Sequence, residues 1–236
     1  MIDARSEAGF LWLGLRALVG FRLRVVQAWL TNGHFVRRRA IDRYLAAHEV
    51  RKLHLGATES LPGFLNSQIT GAVPIDVTAR FPLPDASFSL VYSSHLVEHL
   101  HRRQMLGFMA EVRRILVPDG VHIIATPSAE RLATTLYGPD SPARQALLAH
   151  GGRFHSDAFH TTAHQINLTM RAFGHRFLVD DAFMRAAAPA TGYSSVERID
   201  NLALPDPALA AYIAARKPAR WLAKTETWVL RAPGDR

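Results

Sequence analysis

Apolar positions recur at helical spacing over Gly9–Leu30, at Phe10, Leu13, Ala17, Phe21 and Val25, which predicts a helix. Arg16 and Arg22 fall off that stripe, and Arg24 at its edge. Asn32-Gly33 reads as the stop. A second helix is predicted over Phe35–His48, opened by Arg37-Arg38-Arg39. From Arg51 the period changes. Lys52–Ala57, Phe64–Ile69, Val73–Val77, Ser87–Ser93 and Val121–Thr126 read as short apolar strands. Between the last two lie a predicted helix over His95–Leu100 and an amphipathic one over Arg103–Leu116, with Leu106, Met109, Val112 and Leu116 on one stripe. Pro118-Asp119-Gly120 predicts a turn. The C-terminal half is less regular. It offers a helix over Ala182–Pro189, a strand over Ser195–Ile199, a helix over Pro207–Ala215 and a strand over Thr225–Arg231. Near-continuous apolar strands alternating with helices predict an α/β fold, a parallel sheet covered on both faces.

Length and composition narrow this further. A chain of 236 residues can bury one sizeable core, and 48% hydrophobic with 20% charged residues is a globular balance. With no cysteine, disulfides, thiolate metal sites and a cysteine nucleophile are excluded. The net charge of +8 is unevenly placed: residues 1–52 hold ten Lys/Arg against four Asp/Glu, and residues 53–236 hold eighteen against sixteen. The expected organisation is therefore a basic helical extension over residues 1–50 and a catalytic domain over 51–236, with 130–182 an insertion or lid. The basic excess suits an anionic membrane surface, a nucleic acid or an acidic partner, and equally a solvated face. The run Ala8–Phe21 carries Arg16 and is too short to span a bilayer. A cytoplasmic protein is expected, with peripheral membrane contact through residues 9–43 an open reading.

In open parallel sheets ligands bind at the carboxyl ends of the strands. Here those ends supply Gly56-Ala57-Thr58, Asn66-Ser67-Gln68, Asp76 and Ser93-Ser94-His95. A strand ending in Gly lets backbone approach a ligand closely. An Asp after an apolar strand can accept from a base amine or a sugar hydroxyl.

The stretches KLHLGATESLPGFLNSQI, PIDVTARFPLPDASFSLVYSSHLVEHL and EVRRILVPDGVHIIATPS resemble the core of class I S-adenosylmethionine-dependent methyltransferases. Within them the chain is similar to a type 11-like bacterial subgroup with a shortened region after the first strand. Val97-Glu98-His99 and Gly174-His175-Arg176-Phe177 carry further resemblance to that subgroup. The likeness implies a Rossmann-like sheet flanked by helices, S-adenosylmethionine as cofactor, and cofactor contacts from Gly56, Ala57, Thr58, Gln68, Asp76, Val77, Ser93 and Ser94. Two positions depart from the family pattern. Ala57-Thr58 stands where a second Gly is usual, and Gln68 where an acid usually holds the ribose hydroxyls; its amide can make those hydrogen bonds, but without the charge-assisted strength of a carboxylate.

Methyl transfer asks for alignment of the nucleophile at about 3–3.5 Å and, for an oxygen nucleophile, a base. His95, after the fourth predicted strand, is the candidate base; the other reading is that it shapes the pocket. His95-Leu96-Val97-Glu98-His99 also matches the inverted zinc-protease pattern H-x-x-E-H, but the strand order around it suits a methyltransferase. His150, His155, His160, His164 and His175 crowd one region without a carboxylate cluster beyond Asp157 and Asp180, and no metal is expected. The expected reaction is methyl transfer to an oxygen of a small molecule or glycan. The alternative is a non-catalytic scaffold with a degenerate cofactor site. No specific nucleic acid is expected, since no Asn-Pro-Pro-Tyr motif occurs.

Overall fold

The computed structural model describes Leu23, residues 34–152 and residues 161–235. The helix expected over Gly9–Leu30 lies outside these apart from Leu23, which is helical and exposed. Helix α1 (His34–Ala47) matches the second expected helix. It turns Ile41 and Tyr44 into the core and leaves Arg38, Arg39 and Arg43 exposed. The Tyr44 hydroxyl accepts from the Lys52 amide at 2.9 Å, which pins the helix to the start of the sheet.

Strands β1 (Lys52–Leu55), β2 (Phe64–Ser67), β3 (Phe88–Ser94), β4 (Leu116–Pro127), β5 (Ser195–Ile199) and β6 (Thr225–Arg231) form one sheet in the order β2-β1-β3-β4-β6-β5. The first four run parallel, and β6 is antiparallel to both of its neighbours. The sheet alternates with period two. Leu53, Leu55, Val91, Ile124, Trp228 and Leu230 face one layer, built from α1, α2 (Arg102–Ile115) and α6 (Asp181–Ala190). Phe64, Leu90, Tyr92, Ile123, Ala125 and Val229 face the other, built from α7 (Pro207–Arg216) and α8 (Ala219–Lys224). This is the expected Rossmann-like arrangement.

Three expectations are corrected. Val73–Val77 forms no strand. Val73 and Ile75 are buried as their pattern requires, but Pro74 has no N–H for a ladder and Asp76 folds its carboxylate onto Thr78. β2 is therefore the edge. The helix expected over His95–Leu100 is a single 3-10 turn, Val97–His99. Pro118-Asp119-Gly120 bends the chain within β4 rather than before it: the β3 pairing jumps from Phe88↔Leu116 to Leu90↔Val121, and Asp119 takes φ +57°.

Between β4 and α6 the chain forms α3 (Ala129–Tyr137), α4 (Pro142–Gly151) and α5 (Thr162–Arg171), none of them expected. Two carry start signals in the sequence. Ser128 caps α3 by accepting from the Arg131 amide, and Ser141 caps α4, with Pro142 at the first helical position.

One connection decides where the site lies. β1 and β2 are parallel and adjacent, yet only residues 56–63 join them, with no helix. Parallel pairs usually need a crossover of a dozen or more residues, and its helix covers the sheet. Here that face is covered from the far end of the chain. Leu209 and Ile213 of α7 and Trp221 of α8 pack on Leu61, Phe64 and Tyr92. A Lys52–Asp206 ion pair at 2.5 Å ties β1 to the cap of α7.

Candidate active site

The register puts the residue after β1 beside the ends of β2 and β3, since Leu55 pairs with both Ser67 and Ser93. Gly56 follows at φ +71°, a left-handed conformation that L side chains rarely adopt, and a Cβ there would stand 3.2 Å from Leu96 Cδ1. The next amide, Ala57 N–H, donates to the Ser67 carbonyl at 3.0 Å. Gly56 thus turns the chain up at the rim without filling it.

A cavity of about 200 Å³ opens on this rim. Gly56, Thr58, Ser94 and His95 line it from the strand ends, and Tyr212, Lys217 and Trp221 from the C-terminal helices and the link between them. Across it Lys217 Nζ donates to Glu59 Oε1 at 2.6 Å. That hydrogen bond is the largest cause that holds the Glu59 carboxyl below the usual carboxylate range. His54 also lines the cavity. Burial pulls its imidazole down to about 4, only partly offset by its hydrogen bond to Asn66, so it is a neutral group near pH 7. Burial lifts the Tyr92 hydroxyl to about 12, so it stays protonated as a donor.

His95 is held from both sides. Its Nδ1 stands 3.2 Å from Glu98 Oε1, and its Nε2 lies 3.0 Å from the Thr225 hydroxyl. Its backbone sits at φ +51° and donates to the Ala125 carbonyl. A non-glycine residue in that region is a costly placement of the kind that clusters at functional sites. Glu98 is fully buried, and its Oε2 accepts from the Thr126 hydroxyl at 2.9 Å. Burial alone would raise its carboxyl, but the hydrogen bond from His95 and the charges of His95 and His99 outweigh that and leave it below the usual range.

Of the residues the sequence nominated, Gly56, Thr58, Ser94 and His95 meet in this cavity. Gln68 and Asp76 are exposed outside its lining, and Asp76 Oδ1 accepts from the amide and hydroxyl of Thr78 at 2.9 and 2.7 Å. Ala57 is buried and Val77 half-buried, both away from the lining. The Ser93 hydroxyl is interior, 3.5 Å from His122 Nε2. Sequence reasoning missed Glu59, Tyr212, Lys217 and Trp221, because nothing local marks α7 and α8 as the missing cover of β1. His155 and His160 lie outside the described residues.

Residues 48–124 match the family model described as "Methyltransferase domain". That stretch, from just before β1 into β4, is thus similar to a methyltransferase domain, a family whose cofactor is S-adenosylmethionine. No curated protein matches the chain. Among solved structures it is similar to the CurJ carbon methyltransferase (10% identity, 78% of this chain and 49% of that one, TM-score 0.43). It is also similar to the citrinin polyketide synthase CMeT domain (10%, 79% and 47%, TM-score 0.46). A third is phosphoethanolamine N-methyltransferase 2 of Haemonchus contortus in complex with S-adenosyl-L-methionine (11%, 89% and 56%, TM-score 0.40). The chain thus spans about half the length of these structures.

The residues present fit one end of such a cofactor. Its amino-acid arm carries an ammonium and a carboxylate, and Glu59 and Lys217 offer one acceptor and one donor at the same rim. The cavity is smaller than the roughly 300–1,000 Å³ typical of ligand pockets. It has room for one end of such a molecule rather than the whole of it.

Proposed function

We propose that this chain transfers a methyl group from S-adenosylmethionine to an oxygen of a small molecule or glycan. The observation that carries the reading is His95 at the cavity, backed by a fully buried carboxylate 3.2 Å away. The bound sulfonium supplies an electrophilic methyl group. Glu98 orients the His95 ring, as a carboxylate behind a catalytic histidine does. The Thr225 hydroxyl now occupies Nε2, and an acceptor hydroxyl that takes its place gives its proton to that nitrogen. Trp221, with its ring centroid 5.8 Å from that of His95, walls the acceptor side with an apolar surface.

The domain division into residues 1–50 and 51–236, and the membrane contact through residues 9–43, belong to the same proposal. The exposed arginines of α1 support a surface contact. No helix among the described residues is long and apolar enough to cross a membrane.

The test is S-adenosylhomocysteine release over a panel of hydroxylated small molecules, oligosaccharides and matched amines. Turnover with hydroxyl acceptors supports the oxygen assignment, and turnover confined to amines overturns it.

A further inference from the structure

Beside the cavity, on the other side of the 3-10 turn, three ligand-type side chains converge. Glu98, His99 and His175 each place one donor atom so that all three lie within 4.8 Å of one another. They come from two parts of the chain that the backbone itself clamps together. The Glu98 carbonyl accepts from the amides of Arg176 at 2.7 Å and Phe177 at 3.3 Å. The cluster's framework therefore does not depend on an ion to form.

The protonation pattern points to a cation. His175 Nδ1 hydrogen-bonds to the Thr169 carbonyl, and a carbonyl only accepts, so Nδ1 carries the proton. In the neutral ring Nε2 is then a bare lone pair. It faces Glu98 Oε1 at 3.9 Å. Glu98 is 0% exposed, and that oxygen meets His95 Nδ1 at 3.2 Å, which leaves its second lone pair unmet among the described residues. Among those residues no lysine or arginine nitrogen pairs with it; its ion-pair neighbours are His95 and His175. Two acceptors facing one another in the interior are costly unless something positive lies between them. Ring N–H donated to a backbone carbonyl with the other nitrogen directed inward is also how metal-binding histidines are oriented.

We propose that Glu98, His99 and His175 form a binding site for a divalent transition-metal ion of the zinc class. Two imidazoles and a carboxylate are a borderline-soft donor set that suits zinc and its neighbours, while magnesium prefers oxygen ligands. Four-coordinate zinc at 2.0–2.1 Å holds its ligand atoms about 3.4 Å apart. The present separations need to close by an ångström or so, within the reach of side-chain rotation. Three protein ligands leave one position for water or for an acceptor oxygen. The ion fixes the turn that carries Glu98, and through it the ring of His95, while Glu98 Oε1 can keep accepting from His95. No metal was expected because the only carboxylates near His150, His155, His160, His164 and His175 in sequence are Asp157 and Asp180, whereas Glu98 comes from the turn after β3.

The experiment is calorimetric titration of zinc chloride into the full chain after chelator treatment and dialysis, without S-adenosylmethionine. Zinc binding is read independently of the methyl-transfer proposal, so either can fail alone. The expected result is one zinc per chain with micromolar or tighter affinity, weakened at least 10-fold in His175→Ala and in His99→Ala. His99 is only half-buried, so His99→Ala retains the fold, checked by circular dichroism. Cobalt substitution should give visible absorption bands that the variants lose. Absence of zinc binding to the wild type overturns the proposal. So does equal affinity in wild type and His99→Ala, or magnesium binding as tight as zinc.

Discussion

Lys217 and Glu59 lie 158 positions apart in the chain and meet Nζ to Oε1 at 2.6 Å. Their contact follows from the short β1–β2 link. Without a crossover helix on that face, α7 and α8 close over the strand ends and bring a lysine to the rim. Both side chains are partly exposed, at 17% and 34%. A pair of this kind contributes about 0–1 kcal/mol to stability. Glu59→Gln and Lys217→Met should each lower the unfolding free energy measured by urea denaturation by no more than that amount. A loss of several kcal/mol would make the pair a structural tie rather than a ligand contact.

Gly56→Ala should destabilise the fold by about 1–2 kcal/mol, the cost of a left-handed L residue. Its new Cβ would also press on Leu96 at 3.2 Å. Leu96 immediately precedes the turn that holds Glu98, so cofactor affinity should fall as well. Thermal unfolding and calorimetry on the same variant check both effects, and an unchanged Tm would contradict the account of the rim.

His95→Asn separates base chemistry from backbone geometry. Asparagine tolerates the left-handed conformation that His95 adopts. The variant should keep cofactor affinity within about threefold while kcat falls roughly 10²–10⁴-fold with any hydroxyl acceptor. A rise in KM with kcat preserved would assign His95 to binding alone.

Two buried histidines set an acid limit on stability. Burial lowers His122 to about 3 and His54 to about 4. The Tyr193 hydroxyl donates to the Met109 carbonyl, so His122 Nδ1–H must donate to Tyr193, and the ring is neutral. The unfolded chain takes up protons from about pH 6.5 downward, while the folded chain resists until pH 4 to 3. Their neutral burial is therefore fully favourable above pH 6.5, and stability declines as pH falls below it, by on the order of a few kcal/mol. Denaturant unfolding from pH 7.5 to 4.5 should show that slope, and His122→Asn should flatten it. An unaltered slope would mean that other groups govern the acid response.

Much of the fold was legible in the chain because it rests on local pattern. β6 falls on the stretch Thr225–Arg231 expected as a strand, and β5 on Ser195–Ile199 likewise. Val73–Val77 misled because burial of Val73 and Ile75 needs no ladder, and the pattern cannot distinguish the two. The helices α3 to α5 are short, nine or ten residues each, which gives a periodic pattern little length in which to show, although Ser128 and Ser141-Pro142 mark two of their starts. The site was half legible. Gly56, Thr58, Ser94 and His95 follow strands and could be placed by rule. Glu59, Lys217 and Trp221 depend on which helix covers β1, a packing choice that no spacing records. The pairing of Glu98 with His175 is long-range in the same way.

The most direct test is calorimetric titration of S-adenosylmethionine into the wild-type chain and into Lys217→Met. Micromolar binding to the wild type, weakened at least 10-fold in Lys217→Met, is the expected result and places the amino-acid arm of the cofactor between α7 and β1. No binding to the wild type would contradict the account and favour a methyltransferase fold retained as a scaffold. Equal binding to both proteins would move the cofactor away from this cavity.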